Sequence, residues 1–271
     1  IAKRLKIKMS ANKIISIFHN VIPHESSVLN NLLFKFYIKP FNKCMFMSSF
    51  VENQLKVFKT NFKSSVKFLP IDINYKSNFN RNDLRNKIGI DVNDKIILFF
   101  GLIRKYKGLE VLLKAIKIYS ESNLKFKLVI AGEAYENKNK YLKIINELGI
   151  QDKIIWFDKF ISNEKIEQLM IVSDLLVLPY HFASQSGVLS QAWQYEIPCI
   201  VTNVGGLPEY IDDNKSGYII KKNNHIELAE KMTLFFKSDT SIKMKEYIKI
   251  HKNKFSWDNH VQGIWELIDE S

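Results

Sequence analysis

Short runs of uninterrupted apolar residues alternate along this chain with longer stretches whose apolar positions recur at helical spacing. The runs are Ile14–Phe18, Lys43–Met47, Val66–Leu69, Ile96–Phe100, Lys127–Ala131, Ile154–Phe157, Leu175–Leu178 and Cys199–Val201. Strands covered on both faces need not alternate apolar with polar residues, so these read as buried parallel strands. Leu109–Tyr119 places Leu109, Leu112, Leu113 and Ile116 on one face of a helix. Ser49–Phe58, Asp83–Ile88, Tyr141–Leu148, Asn163–Ile171, Gly187–Tyr195, Ile226–Phe236 and Ser241–Asn253 read as further helices, with a last one after Trp257-Asp258. Ser48 or Ser49, and Ser162 or Asn163, are the expected N-caps. Ser26 or Ser27 would start a helix reaching about Tyr37, and Pro208-Glu209 would open another. Strand–helix alternation of this kind predicts doubly wound, Rossmann-like parallel sheets.

Asp72–Arg81 is polar and aperiodic, and reads as a linker between domains. The three strand runs before it are too few for a domain of their own. Ile1 is not an initiator Met, so the chain is expected to lack its beginning.

The length of 271 residues allows one large or two ordinary domains. No apolar run approaches the roughly 20 residues that cross a bilayer, and no signal-peptide pattern is present. Cys44 and Cys199 both lie in or beside apolar runs. Two such residues make no disulfide framework and lack zinc spacing, which favours a reducing cytoplasm. The formal net charge of +12 favours polyanions or an anionic membrane surface. It is spread along the chain without an aromatic–basic ladder, so nucleic acid is not the expected partner.

Candidate chemistry concentrates in Asp174–Tyr218. Here strand, polar loop Tyr180–Ser186, helix, strand and the glycine loop Thr202-Asn203-Val204-Gly205-Gly206 follow one another. Ligands of open α/β sheets bind beyond the carboxyl ends of the strands, where both loops sit. Ser184, Gln185, Ser186 and Gly187 offer hydroxyls, an amide and free N–H groups at a helix start, a place for phosphate. Ordinary turn chemistry reads the same residues equally well. Arg104 and Lys107, beside Gly101 and Gly108, suit a diphosphate or simple loop solvation. His19, His24 and Glu25 cluster just past a strand end, where function and plain solvation are evenly weighed. No Ser-His-Asp arrangement or Walker-type loop appears.

Asp174, Pro179-Tyr180, Ser186-Gly187, Pro198, Gly205-Gly206-Leu207-Pro208-Glu209 and Ser216-Gly217 together resemble the nucleotide-sugar site of glycosyltransferase family 4, retaining enzymes of GT-B fold. Phe100–Gly108 and Leu128–Glu133 match too, in order, over Ile96–Ile220. The resemblance implies two Rossmann-like domains: an incomplete first domain over residues 1–71, a linker at 72–81, a nucleotide-sugar domain over 82–254, and a helix over 255–271 packing back on the first.

It further implies transfer of a sugar, with retention, from a UDP- or GDP-linked donor to a hydroxyl of a saccharide or lipid-linked acceptor, without a metal. Surface polysaccharide or glycolipid synthesis, in the cytoplasm or at the inner face of an anionic membrane, is the expected setting. Arg104 and Lys107 would hold the leaving diphosphate, and His19 would position groups or move a proton. Gly101, Glu133, Tyr180, Ser184–Gly187, Gln191, Thr202, Gly205, Gly206 and Glu209 would contact the nucleotide sugar, with His24 and Glu25 on the acceptor side. The chain departs from the family pattern in three places. Leu102 stands where many members carry the Arg, and Ala183 and Gln191 replace a pair of glutamates. A nucleotide-sugar epimerase and a non-catalytic binding protein are the rival readings.

Overall fold

A computed structural model describes residues 14–21, 34, 37–122, 124–237 and 239–268. The helix expected after Ser26, together with His24 and Glu25, lies outside the described residues. Among the described residues, nine strands form two sheets, every strand pairing parallel with its neighbours.

The first sheet is β1 (Ile15–Phe18), β2 (Lys43–Phe46) and β3 (Lys63–Val66), in that order. The expected third strand, Val66–Leu69, is thus displaced toward the N-terminus. Lys63, Ser64 and Ser65 pair along β2, with Ser64 Oγ donating to Glu52 Oε1 in α1 and Ser65 Oγ to Glu266 Oε2 in α9, both helices given below. Helix α1 (Ser49–Lys56) follows β2, with Ser48 as its N-cap.

The second sheet has six strands in the order β6-β5-β4-β7-β8-β9. They are β4 (Lys95–Phe100), β5 (Phe126–Ala131), β6 (Ile154–Phe157), β7 (Leu175–Leu178), β8 (Cys199–Thr202) and β9 (Gly217–Ile220). The central runs are buried because both faces are covered. Ile97, Phe99, Leu128, Ile130, Leu175, Val177 and Ile200 face one core. Their neighbours Ile96, Leu98, Val129, Ala131, Leu176, Leu178, Cys199 and Val201 face the other. This period of two follows from strand geometry.

Helices α3 (Leu109–Tyr119), α4 (Lys138–Leu148) and α7 (His225–Lys237) supply the first core. Helices α5 (Asn163–Val172) and α6 (Gly187–Gln194) cover the other face. Helix α8 (Thr240–His251) reaches both, Met244 into the first and Ile248 into the second. Before them, α2 (Arg81–Lys87) starts at Asn80, whose side chain accepts from Asn82 and Asp83. Pro208–Tyr210 forms a single 3-10 turn rather than the expected helix: the next residue, Ile211, is already extended, and Asp213 bridges to Gly217.

Helix α9 (Trp257–Ile268) packs on β2 and β3. Glu266 accepts from Ser65 Oγ (2.9 Å) and pairs with Lys67 (3.0 Å), and the ring Nδ1 of His260 lies 3.0 Å from the Phe68 carbonyl oxygen. No helix among the described residues is long and apolar enough to cross a membrane.

Candidate functional site

In the second sheet the strand order reverses between β4 and β7. In doubly wound sheets the crevice at the carboxyl ends of such strands takes the ligand. The loop leaving β4 carries Gly101, Arg104 and Lys107, and the loop leaving β7 carries Tyr180–Ser186.

Lys107 is drawn inward. It is only 7% exposed, and its ammonium lies 5.3 Å from the Tyr180 ring centre. It occupies the space a side chain at position 101 would take: a Cβ on Gly101 would meet Lys107 Nζ at 2.4 Å. Burial removes hydration from the cation and Arg104 repels it, which brings its pKa down to about 8. Arg104 itself is exposed, with its guanidinium 5.1 Å from the Tyr135 ring centre. Burial pushes the Tyr180 phenol well above its ordinary range, so it stays neutral beside the lysine.

Two cavities meet at Tyr106. One, of about 650 Å³, is lined by Arg104, Lys105, Tyr106, Tyr135, Glu136, His181 and Phe182. The other, of about 180 Å³, is bounded by Lys107, Tyr180, Ala183, Gln185, Ser186 and Gly187. The smaller cavity therefore sits between a buried cation and the start of α6. Ser186 is the N-cap of that helix, and its side chain makes no capping bond. Ser184 is 1% exposed, and neither its Oγ nor Gln185 Oε1 has a partner among the described residues. Buried polar atoms are normally satisfied, and Gln185 shares the smaller cavity with Lys107, so its orphan oxygen suits a polar ligand there.

The remaining expected residues are placed differently. Thr202 Oγ1 donates to the Tyr180 carbonyl at 2.6 Å and so braces the loop from beneath. Gly206 N donates to the Ala183 carbonyl at 3.2 Å, joining the glycine loop after β8 to the loop after β7. Gly205 enters the same loop at positive φ. Glu209 points to the first sheet, where its carboxylate accepts from Ser49 N (2.7 Å) and Phe50 N (2.9 Å) at the start of α1. Glu133 is exposed past β5, and its carbonyl accepts from Ile103 N (2.9 Å). Gln191 lies half-buried within α6. His19 is exposed just past the end of β1. Among the described residues, no group of three His, Cys, Asp or Glu is placed to hold a metal ion.

Sequence reasoning missed one pair. His181 Nε2 lies 3.0 Å from Glu110 Oε1, across the two loops. The available signal was positional: His181 directly follows Pro179-Tyr180 at a strand end, and Glu110 stands in the first turn of the helix after Gly108.

Two parallel α/β sheets, with facing loops at a topological switch point and a buried lysine opposite a helix start, define a protein of GT-B fold. The sequence model of the glycosyl transferases group 1 matches residues 80–254, and the chain belongs to that family. D-inositol 3-phosphate glycosyltransferase of Corynebacterium jeikeium is 28% identical over 196 residues, covering 69% of this chain and 46% of that protein. Spore coat protein SA of Bacillus subtilis is 27% identical over 199 residues, covering 70% and 52%. The chain thus spans about half the length of these curated relatives. In fold it is similar to Anabaena HepE, solved in complex with UDP, with a TM-score of 0.82 at 18% identity, over 95% of this chain and 72% of that one.

Proposed function

We propose that the complete protein transfers a sugar, with retention, from a nucleotide-diphosphate donor to an acceptor hydroxyl, and that this chain supplies the donor site. The observation that carries the reading is the buried Lys107 ammonium facing the start of α6 across the 180 Å³ cavity. When the bond from the sugar's anomeric carbon to the diphosphate breaks, negative charge collects on the leaving oxygens. Lys107, Arg104 and the first N–H groups of α6 are preorganised cations and donors for that charge. The acceptor oxygen forms the new bond on the face the diphosphate leaves, and its proton passes to an oxygen of the leaving diphosphate.

The larger cavity, with Tyr135, Phe182 and the Arg104 plane, suits the nucleoside. HepE, solved with UDP and with UDP-glucose, makes a uridine donor the first choice over a guanosine one. We assign residues 82–254 to the donor side and 1–71 to the acceptor side, where His19 is the positioning group. The linker is 72–81, and 255–271 return to the first sheet. A saccharide or lipid-linked acceptor and a place at the inner face of an anionic membrane complete the proposal; the net charge of +12 suits such a surface.

Calorimetric titration with UDP and UDP-glucose, followed by product analysis with candidate acceptors, tests it. Micromolar binding that Lys107→Ala abolishes is expected, and unchanged affinity in that variant overturns the donor-site assignment. Binding without turnover would favour the non-catalytic alternative, for which Ala183 in place of a carboxylate is the specific observation.

A further inference from the structure

The segment from Tyr106 to Glu110 contains Lys107 and is held at both ends by one residue. At one end, the backbone N of His181 donates to the Tyr106 carbonyl at 2.6 Å. At the other, His181 Nε2 meets Glu110 Oε1 at 3.0 Å. Between them the chain passes through Gly108, at φ 66°, where a Cβ would lie 2.1 Å from the Pro179 carbonyl oxygen and 3.4 Å from His181 Cε1. The cation loop is thus pressed against the loop after β7, with Lys107 bracketed at its middle.

We propose that His181, held by Glu110, is the positioning residue that keeps the Lys107 ammonium at the diphosphate subsite. The proposal rests on the reading of Lys107 given above. A carboxylate only accepts hydrogen bonds, so Glu110 fixes the imidazole proton on Nε2. Nδ1 has no partner among the described residues, so the ring's polar anchoring runs through Nε2. That geometry matters because Lys107 has no ion pair among the described residues to hold it. The charged and titratable groups facing it are Arg104, Tyr106 and Tyr180, and none of them is an anion at neutral pH. With the bracket opened, the long side chain swings to water, where its ordinary protonation returns.

The test is binding of inorganic pyrophosphate and of UDP by the full chain between pH 6.5 and 10, for wild type and the variants His181→Ala, Glu110→Ala, His181→Gln and Lys107→Ala. His181→Ala and Glu110→Ala are expected to weaken both ligands about tenfold, the equivalent of one hydrogen bond to a charged group. They should also move the alkaline midpoint for binding upward from about 8. Gln carries an N–H donor close to the place of Nε2, so His181→Gln should restore affinity and midpoint together. A merely structural role lowers the melting temperature and leaves the midpoint where it is. Should His181→Ala fail to fold, Glu110→Ala carries the same prediction with the backbone bond intact. Wild-type affinity and midpoint in Glu110→Ala overturn the proposal while Lys107→Ala still loses binding. Undiminished binding in Lys107→Ala overturns the diphosphate reading, and this proposal with it.

Discussion

Folding strips water from the Lys107 ammonium and offers it only an aromatic face and a neighbouring arginine in return. A pKa of about 8 instead of 10.5 corresponds to roughly 3 kcal/mol held against the charged form. The sign follows directly. Between those values the unfolded chain holds a proton that the folded chain has released, so this contribution makes the free protein more stable as pH rises through that window. Below about 8 the full penalty is present, and a diphosphate bound as proposed would remove it. UDP affinity is therefore expected to fall by up to about tenfold per pH unit above 8, with proton uptake on binding. Titrations in buffers of different ionisation enthalpy measure the uptake; an enthalpy independent of buffer at pH 9 would contradict it. Exposed Arg104 works through solvent, so Arg104→Ala should cost only about three- to tenfold in UDP affinity, read in the same calorimeter.

The elements meet through their ends. Glu209 gives both carboxylate oxygens to the first N–H groups of α1, while Ser48 caps the same helix and donates through Oγ to the Ser184 carbonyl at 2.9 Å. A carboxylate there complements unpaired donors and the helix dipole. Glu209→Ala should lower stability by about 1–2 kcal/mol, seen in urea unfolding, and loosen α1 from the donor loops. Helix α2 is tied down differently. Asp174 accepts from Arg81 (2.6 Å), Arg85 (2.9 Å) and Ile96 N (2.8 Å), joining α2 to the amino-terminal starts of β4 and β7. Asp174→Ala strands the nearly buried Arg85, and a loss of about 3–5 kcal/mol is expected in the same unfolding experiment. A loss below about 1 kcal/mol would show that solvent replaces the carboxylate without cost.

Across the whole molecule, the last helix closes what the first sheet leaves open. Helix α9 covers β2 and β3, while Ile71 bridges to Ser256 and Phe68 packs on Tyr210 and Phe255. Ending the chain before Trp257 uncovers that sheet face, and limited proteolysis should then cut in residues 43–66 first, with 82–254 still protected. Equal protection of both regions would show that the first sheet does not depend on α9.

The second sheet was almost fully legible in the sequence. Leu109–Tyr119, Ile154–Phe157 and Leu175–Leu178 run as the apolar periodicity placed them, because a strand buried on both faces must be continuously apolar and a helix must show its stripe. The loops holding Arg104, Lys107 and Ser184–Gly187 likewise fall at the carboxyl ends of β4 and β7, where the strand pattern placed them. Tertiary structure decided the rest. Polar Ser64 and Ser65 sit in a strand whose hydroxyls find their partners elsewhere in the fold, Ser64 on Glu52 of α1 and Ser65 on Glu266 of α9, 201 residues later. Glu209 turned from a ligand candidate into a clasp on α1 because two sheets bring distant ends together. The meeting of His181 with Glu110 could not be read in advance, since local spacing encodes periodicity while contacts between loops depend on strand order. The sequence determined which residues are apolar and which carry charge; only the fold decided that the charged Lys107 is also buried.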